Sequence, residues 1–270
     1  MTAVAAARDA VAAATDSLRA AGCETPQLDA EVLVAAAAGV DRLDLVAKPD
    51  LGLEPAAART LMGWVRRRAR REPVAYIVGH KPFRQIELMV DSRVLIPRPE
   101  TELLVEVAAE LAQPGAWVHD VGTGSGAVAL ALKAERPDLR VSASDRAPGA
   151  VDVARRNAER LGLDVDVNAG AGLPEGAFDL VVANLPYVRD GEWGGLMPEI
   201  RDHEPRDALL GGPDGLDEIR ALVSVVPAGT LLALEHAPSQ AKSVRGMLEG
   251  AQTRLDLAGR ERVTIGFVSS

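Results

Sequence analysis

A chain of 270 residues is longer than one average domain, so a large α/β domain with a smaller appendage is expected. Its formal net charge of −9 disfavours broad electrostatic capture of nucleic acid, and its single cysteine, Cys23, excludes an intramolecular disulfide framework and a thiolate zinc cluster. Hydrophobic residues make up 47% of the chain but aromatics only 3%, so Ala, Val and Leu must build the core.

The alanine-rich start is interrupted by Arg8, Asp9, Asp16 and Arg19, which excludes a signal core or a membrane span and predicts a cytoplasmic protein. Residues 2–20, 27–38 and 54–71 carry helical periodicity, and the first seventy or so read as all-helical. Five arginines, Arg66, Arg67, Arg68, Arg70 and Arg71, crowd the end of the third helix. They either complement its dipole and solvate a surface, or form a docking patch. Pro73 ends helix propensity, and 74–78, 86–90 and 94–96 are β-rich, which predicts a small hairpin linker. The predicted domains are 1–72, helical; 73–97, the linker; and 98–270, α/β.

From Thr101 onward helices and strands alternate. Helices are predicted at 102–111, 126–134, 150–161 and 216–226, and strands at 117–121, 140–144, 165–169, 180–183 and 231–235. Such alternation implies a parallel sheet with helices on both faces. Two last strand-like pieces, 254–257 and 262–268, have no helix between them and predict an antiparallel closing hairpin.

Two motifs carry chemistry. Asp120-Val121-Gly122-Thr123-Gly124-Ser125-Gly126 follows a strand and opens a helix, so its backbone can turn tightly against a ligand. Asp145 stands nineteen residues beyond Gly126 at the end of the next strand, where a carboxylate can accept ribose hydroxyls. Gly122-x-Gly124-x-x-Ala127 also matches the dinucleotide fingerprint, so spacing leaves S-adenosylmethionine and NAD both open. The second motif, Asn184-Leu185-Pro186-Tyr187, ends the apolar run 178–183. It offers an amide oxygen, exposed carbonyls and an aromatic face where open α/β sheets bind ligands. Two acceptors aimed at the N–H groups of an amide or exocyclic amine would orient its nitrogen lone pair for methyl transfer. The histidines, His80, His119, His203 and His236, lack metal-ligand spacing, and no metal is expected.

These motifs resemble the HemK/PrmC family, the protein-glutamine N5-methyltransferases that act on peptide-chain release factors. The resemblance extends to Glu72-Pro73-Val74-Ala75-Tyr76-Ile77 with Gly79 and Phe83, to 95–102 (Leu-Ile-Pro-Arg-Pro-Glu-Thr-Glu), and to Glu204-Pro205, Gly211-Gly212, Asp214-Gly215-Leu216 and Glu261-Arg262-Val263. It implies a Rossmann-like class I methyltransferase sheet with an antiparallel C-terminal hairpin, plus a small N-terminal helical domain and a β-hairpin linker. It implies that Gly122, Thr123, Gly124, Ser125, Gly126, Asp145 and Asn184 hold S-adenosylmethionine. It implies further that Asn184, Leu185, Pro186 and Tyr187 hold the glutamine of a Gly-Gly-Gln tripeptide. The expected partner is a release factor, with no membrane and no direct nucleic-acid binding; the sequence leaves the oligomeric state open, with a monomer favoured. Tyr76 and Phe83 either line the pocket or pack in the core, and Arg98 and Glu100 either join the cofactor site or pair at the domain junction. The family usually has Asn-Pro-Pro-Tyr, and Leu185 replaces the first proline while keeping its carbonyl. The alternatives are an adenine N6-methyltransferase acting on rRNA or DNA, to whose motif Asn-Leu-Pro-Tyr is also similar, and a cofactor-binding scaffold without activity.

Overall fold

The computed structural model describes residues 6–269. Its contacts divide the chain into two units. One is residues 6–79 with Met197–His203, and the other is His80–Leu196 with 204–269.

The first unit is helical: α1 (Ala7–Ala20), α2 (Pro26–Ala38), α3 (Arg42–Ala47), α4 (Pro55–Ala69) and α5 (Val74–Val78). The helix expected over 2–20 is described from Ala7, and 2–5 lie outside the described residues. Leu18, Leu33, Val34 and Leu61 form its core. The run 74–78 is a helix, not the predicted strand. Its valines and isoleucine favour a strand, but Pro73 presets the entering turn and Gly79, at φ 84°, ends a short helix in the left-handed region. Among the charges of this unit, Arg68 meets Asp29 at 2.7 Å and Glu199 at 2.8 Å, and Arg71 meets Glu199 at 2.7 Å. Arg68, Asp29 and Glu199 are all buried.

The second unit opens with a hairpin of β1 (His80–Phe83) and β2 (Ile86–Met89), in register Phe83 to Ile86. Then follow α6 (Glu102–Leu111), β3 (Trp117–Val121), α7 (Ala127–Glu135), β4 (Arg140–Asp145), α8 (Pro148–Leu161), β5 (Asp166–Ala169) and β6 (Leu180–Ala183). After α9 (Pro198–His203), which belongs to the first unit, come α10 (Asp217–Val225), β7 (Leu231–Glu235), α11 (Ala241–Arg245), β8 (Leu248–Leu255) and β9 (Glu261–Val268). The stretch 94–96 is not the predicted strand. Val94 and Ile96 are buried, and the Ile96 N–H donates to the Glu204 carboxylate at 3.1 Å.

The seven strands order β5-β4-β3-β6-β7-β9-β8, parallel through β7 and antiparallel at β9 and β8. Strand β6 is buried throughout, as a continuous Leu-Val-Val-Ala run requires of a strand covered on both faces. Val181 and Ala183 meet Ile219 and Leu222 of α10 and Val244 of α11 in one core. Leu180 and Val182 point by period two to the opposite face, where α6 packs against β6 and β7. The closing hairpin is present, but β8 begins at Leu248, six residues before the prediction, and residue 257 lies in the turn. That stretch of β8 is a largely exposed edge with a register shift between Glu249 and Gln252, so it lacks clean alternation.

Candidate functional site

The chain runs from β3 outward to β4 and β5, then returns to place β6 on the other side of β3. That reversal opens a crevice at the carboxyl ends of β3 and β6, the place where doubly wound sheets bind ligands. Val121 pairs with Ala183 in this ladder, so Gly122 and Asn184 leave the sheet side by side.

The glycine turn is fastened from both ends. Gly122 and Thr123 donate their N–H groups to the Ser144 carbonyl at 2.9 and 3.0 Å. The Thr123 hydroxyl donates to Asp120 Oδ2 at 2.6 Å, and the Ala129 N–H reaches the same oxygen at 3.3 Å. Burial pushes the Asp120 carboxyl up to about 7, against those two hydrogen bonds. Gly122, Gly124 and Gly126 all have positive φ, at 73°, 57° and 86°. A Cβ on Gly122 would come within 2.9 Å of Leu185 Cδ2, so the two motifs touch. Asn157, buried on α8, donates to the Ser125 carbonyl and exchanges two hydrogen bonds with Met89, tying the hairpin to the turn.

Asp145 lies beyond Ser144, whose partner across the ladder is Val121. One carboxylate oxygen accepts from Gly124 N–H at 2.9 Å and the other from Ala147 N–H at 2.8 Å. Each oxygen keeps a second lone pair, so the group can both brace the loop and accept hydroxyls. Ser125 Oγ is buried without a hydrogen-bond partner.

On the other side, Asn184 Nδ2 donates to Thr101 Oγ1 at 3.0 Å, which leaves Oδ1 as the amide's outward acceptor. Leu185 is buried in the core with Val121, Ala183, Leu216 and Ile219. Burial therefore holds this turn where a proline ring would have stiffened it. The backbones of Pro186 and Tyr187 lie against Gly211 and Gly215, where a Cβ would strike their carbonyl oxygens. Gln240 Nε2 donates to the Tyr187 carbonyl at 2.9 Å. Burial, and then the Glu235 carboxylate, push the Tyr187 phenol up to about 12.

The structure thus brings 122–126, Asp145 and 184–187 to one edge of the second unit. Phe83 is buried within that unit's core, and Tyr76 is a buried residue of α5 in the first. Arg98 donates to Glu204 Oε1 at 2.5 Å, and Glu100 lies 3.5 Å from Arg260. His119 is buried between the Ser142 and Ser144 hydroxyls at 2.8 and 2.9 Å, and burial drives its pKa down to about 4. Of the five arginines, Arg67 pairs with Glu72 while Arg68 and Arg71 belong to the buried cluster. Thr101, Glu204 and Gln240 escaped residue-level prediction. Thr101, within the 95–102 segment, and Glu204, in the Glu-Pro pair, lay in stretches that carry the resemblance, while Gln240 left no signal in the sequence.

Residues 9–79 match the family described as PrmC N-terminal domain, and 99–196 match the methyltransferase small domain. A release factor glutamine methyltransferase of Mycolicibacterium smegmatis is 42% identical over 94% of this chain and 95% of its own length. One from Caulobacter vibrioides is 40% identical over 94% and 93%. The chain belongs to the release factor glutamine methyltransferase family. It is accordingly a methyltransferase, and its sheet is that of the class I enzymes. The hMettl16 catalytic domain, solved with an RNA hairpin, shares that fold with a TM-score of 0.55 at 13% identity, over 79% of this chain and 81% of the other. Among the described residues no helix is long and apolar enough to cross a membrane.

Proposed function

We propose that the chain uses S-adenosylmethionine to methylate the side-chain nitrogen (N5) of the glutamine in the Gly-Gly-Gln tripeptide of peptide-chain release factors. The observation that carries this reading is the Asn184 carboxamide, fixed by Thr101 with its oxygen outward, beside a glycine turn that touches Leu185.

The residues fit the cofactor. Gly124 has open space where a Cβ would stand, Ser125 Oγ is an unsatisfied buried hydroxyl, and Asp145 has lone pairs to spare. Gly122 to Gly126 and Asp145 would hold it, with Asn184 at its edge. When bound, it supplies an electrophilic methyl carbon on a sulfonium.

The chain's own residues position the acceptor. A carboxamide nitrogen is a poor nucleophile because its lone pair is delocalised. Asn184 Oδ1 and the Leu185 carbonyl would accept its two N–H bonds, turn the nitrogen toward the crevice and favour pyramidalisation as positive charge develops. The nitrogen would take the methyl group as that group's bond to the sulfonium sulfur breaks, the electron pair staying on sulfur as a thioether, and would give up one proton to solvent. Tyr187 packs against the planar amide, and an aromatic face near a sulfonium methyl adds about 0.5–2 kcal/mol. The N-terminal residues 1–72 grip the release factor in this reading, and the enzyme acts in the cytosol. The names of the relatives support a protein acceptor, and the charge of −9 argues against the adenine alternative.

The test is mass spectrometry of a purified bacterial release factor after incubation with the protein and S-adenosylmethionine. One methyl group on the glutamine of Gly-Gly-Gln is expected. Methyl transfer to RNA with none to the release factor would overturn the proposal.

A further inference from the structure

Of two buried groups behind Asn184, Thr101 has entered only as the partner of its amide, and Glu235 has no part in the steps above. Glu235 ends β7 one residue past the Ala183–Leu234 pair, which places it beside Asn184. It is fully buried, and neither carboxylate oxygen meets a donor in good hydrogen-bond geometry. The hydroxyls of Thr101 and Tyr187 nevertheless lie close enough to favour its anion. A buried carboxylate so loosely satisfied is costly, and such groups concentrate at functional sites.

Thr101 connects this carboxylate to the acceptor site. Its hydroxyl has one proton to give and two lone pairs to offer. With the proton directed at Glu235, Thr101 presents Asn184 with lone pairs alone. Only the Asn184 NH2 can meet them, and the observed Nδ2 to Oγ1 bond of 3.0 Å is that arrangement. Reversal of the amide would put an NH2 against the NH2 of an incoming carboxamide, donor facing donor.

We propose that Glu235 and Thr101 are positioning residues that fix which way round the Asn184 carboxamide lies, Glu235 by drawing the Thr101 proton and Thr101 by leaving Asn184 only a lone pair to bond. The same carboxylate faces the Tyr187 hydroxyl, so one anion orders both the amide clamp and the aromatic wall. This rests on the reading of Asn184 as acceptor clamp. The charged and titratable groups facing Glu235 are Arg262 from β9, Glu100 from the turn before α6, and Tyr187. Burial raises the Glu235 carboxyl to about 7, against the Thr101 hydroxyl and the Arg262 guanidinium. Its protonated form can donate to Thr101 and release the constraint, so turnover should rise with pH through neutrality.

The test uses the full chain with Thr101→Val, Thr101→Ser and Glu235→Gln. Thr101→Val and Glu235→Gln should lower kcat roughly 100-fold, the scale of a misplaced reacting group, with the dissociation constant for S-adenosylmethionine little changed. Thr101→Ser should retain most turnover, and Glu235→Gln should lose the rise in kcat near pH 7. In chain labelled with 15N-asparagine, the Asn184 side-chain signals, identified by their loss in Asn184→Ala, should shift and exchange faster in Thr101→Val and Glu235→Gln. Unchanged kcat in those two variants of an active enzyme, or unmoved Asn184 signals, would overturn the inference. A wild-type chain that left release factor unmethylated would defeat the functional proposal instead, and the amide signals would still decide this one. Should Glu235→Gln not fold, the Thr101 pair carries the test.

Discussion

Replacing Glu199 by alanine removes the anion shared by two arginines of the helical unit. Arg68, buried on α4, would keep Asp29 as counterion and the Glu72 carbonyl, and Arg71 would keep the Gly22 carbonyl. Two routes give the size of the effect. Breaking a buried ion pair by deleting one partner costs about 3–5 kcal/mol, because a charge is left uncompensated. Independently, burial opposes ionisation of Glu199 but Arg71, its own backbone N–H and Arg68 overcome it, holding the carboxyl down to about 2. Against an ordinary glutamate this is worth about 3 kcal/mol at neutral pH. The sign follows from a depressed folded pKa: the stabilisation is complete above the normal glutamate range and is lost as pH falls from about 5 toward 2. Urea unfolding followed by Trp64 fluorescence, in a Trp117→Phe/Trp193→Phe background, reads the helical unit directly. We expect Glu199→Ala to lose about 3 kcal/mol at pH 7, with the gap to wild type narrowing on acidification. A gap under about 1 kcal/mol, the range of an exposed pair, or one indifferent to pH would refute the reasoning.

Asn184→Ala should cut release-factor methylation roughly 100- to 1,000-fold while weakening S-adenosylmethionine binding less, as kinetics and calorimetry would show. Gly122→Ala forces a side chain at φ 73° against Leu185, and the affinity for S-adenosylmethionine should fall at least about tenfold by calorimetry. Leu185→Ala opens a hole in the core beside the crevice and should cost about 2–4 kcal/mol in urea unfolding. His119 is held neutral by burial, so the unfolded chain binds the extra proton between about pH 4 and 6.5. Stability should therefore rise with pH across that window, by up to about 3 kcal/mol, and His119→Gln should flatten the slope.

Elements that bury a regular face were legible in the sequence. The bounds of α6, β3, β6 and β7 coincide with those read from periodicity, since each buries most of its apolar residues in the core. Failures came where neighbours outvoted local preference. Val74–Val78 is rich in strand formers, yet a proline before it and a left-handed glycine after it close a short helix. The 94–96 stretch has the composition of a strand, yet its Ile96 N–H is taken by the Glu204 carboxylate. At the candidate site the glycine turn, Asp145 and 184–187 announce themselves through residue type and spacing. Thr101, Gln240 and Glu235 do not, because a threonine, glutamine or glutamate gains meaning only from the backbone that folds against it.

The helical unit is assembled from two stretches that lie far apart in the chain, residues 6–79 and Met197–His203. During synthesis the first emerges well before the second, by roughly ten seconds at 5–20 residues per second. Until then Arg68 and Arg71 wait without Glu199, so the segment made earliest is among the last to be finished. The chain must be translated through its own Asn-Leu-Pro-Tyr turn before the last piece of its amino-terminal helical unit exists.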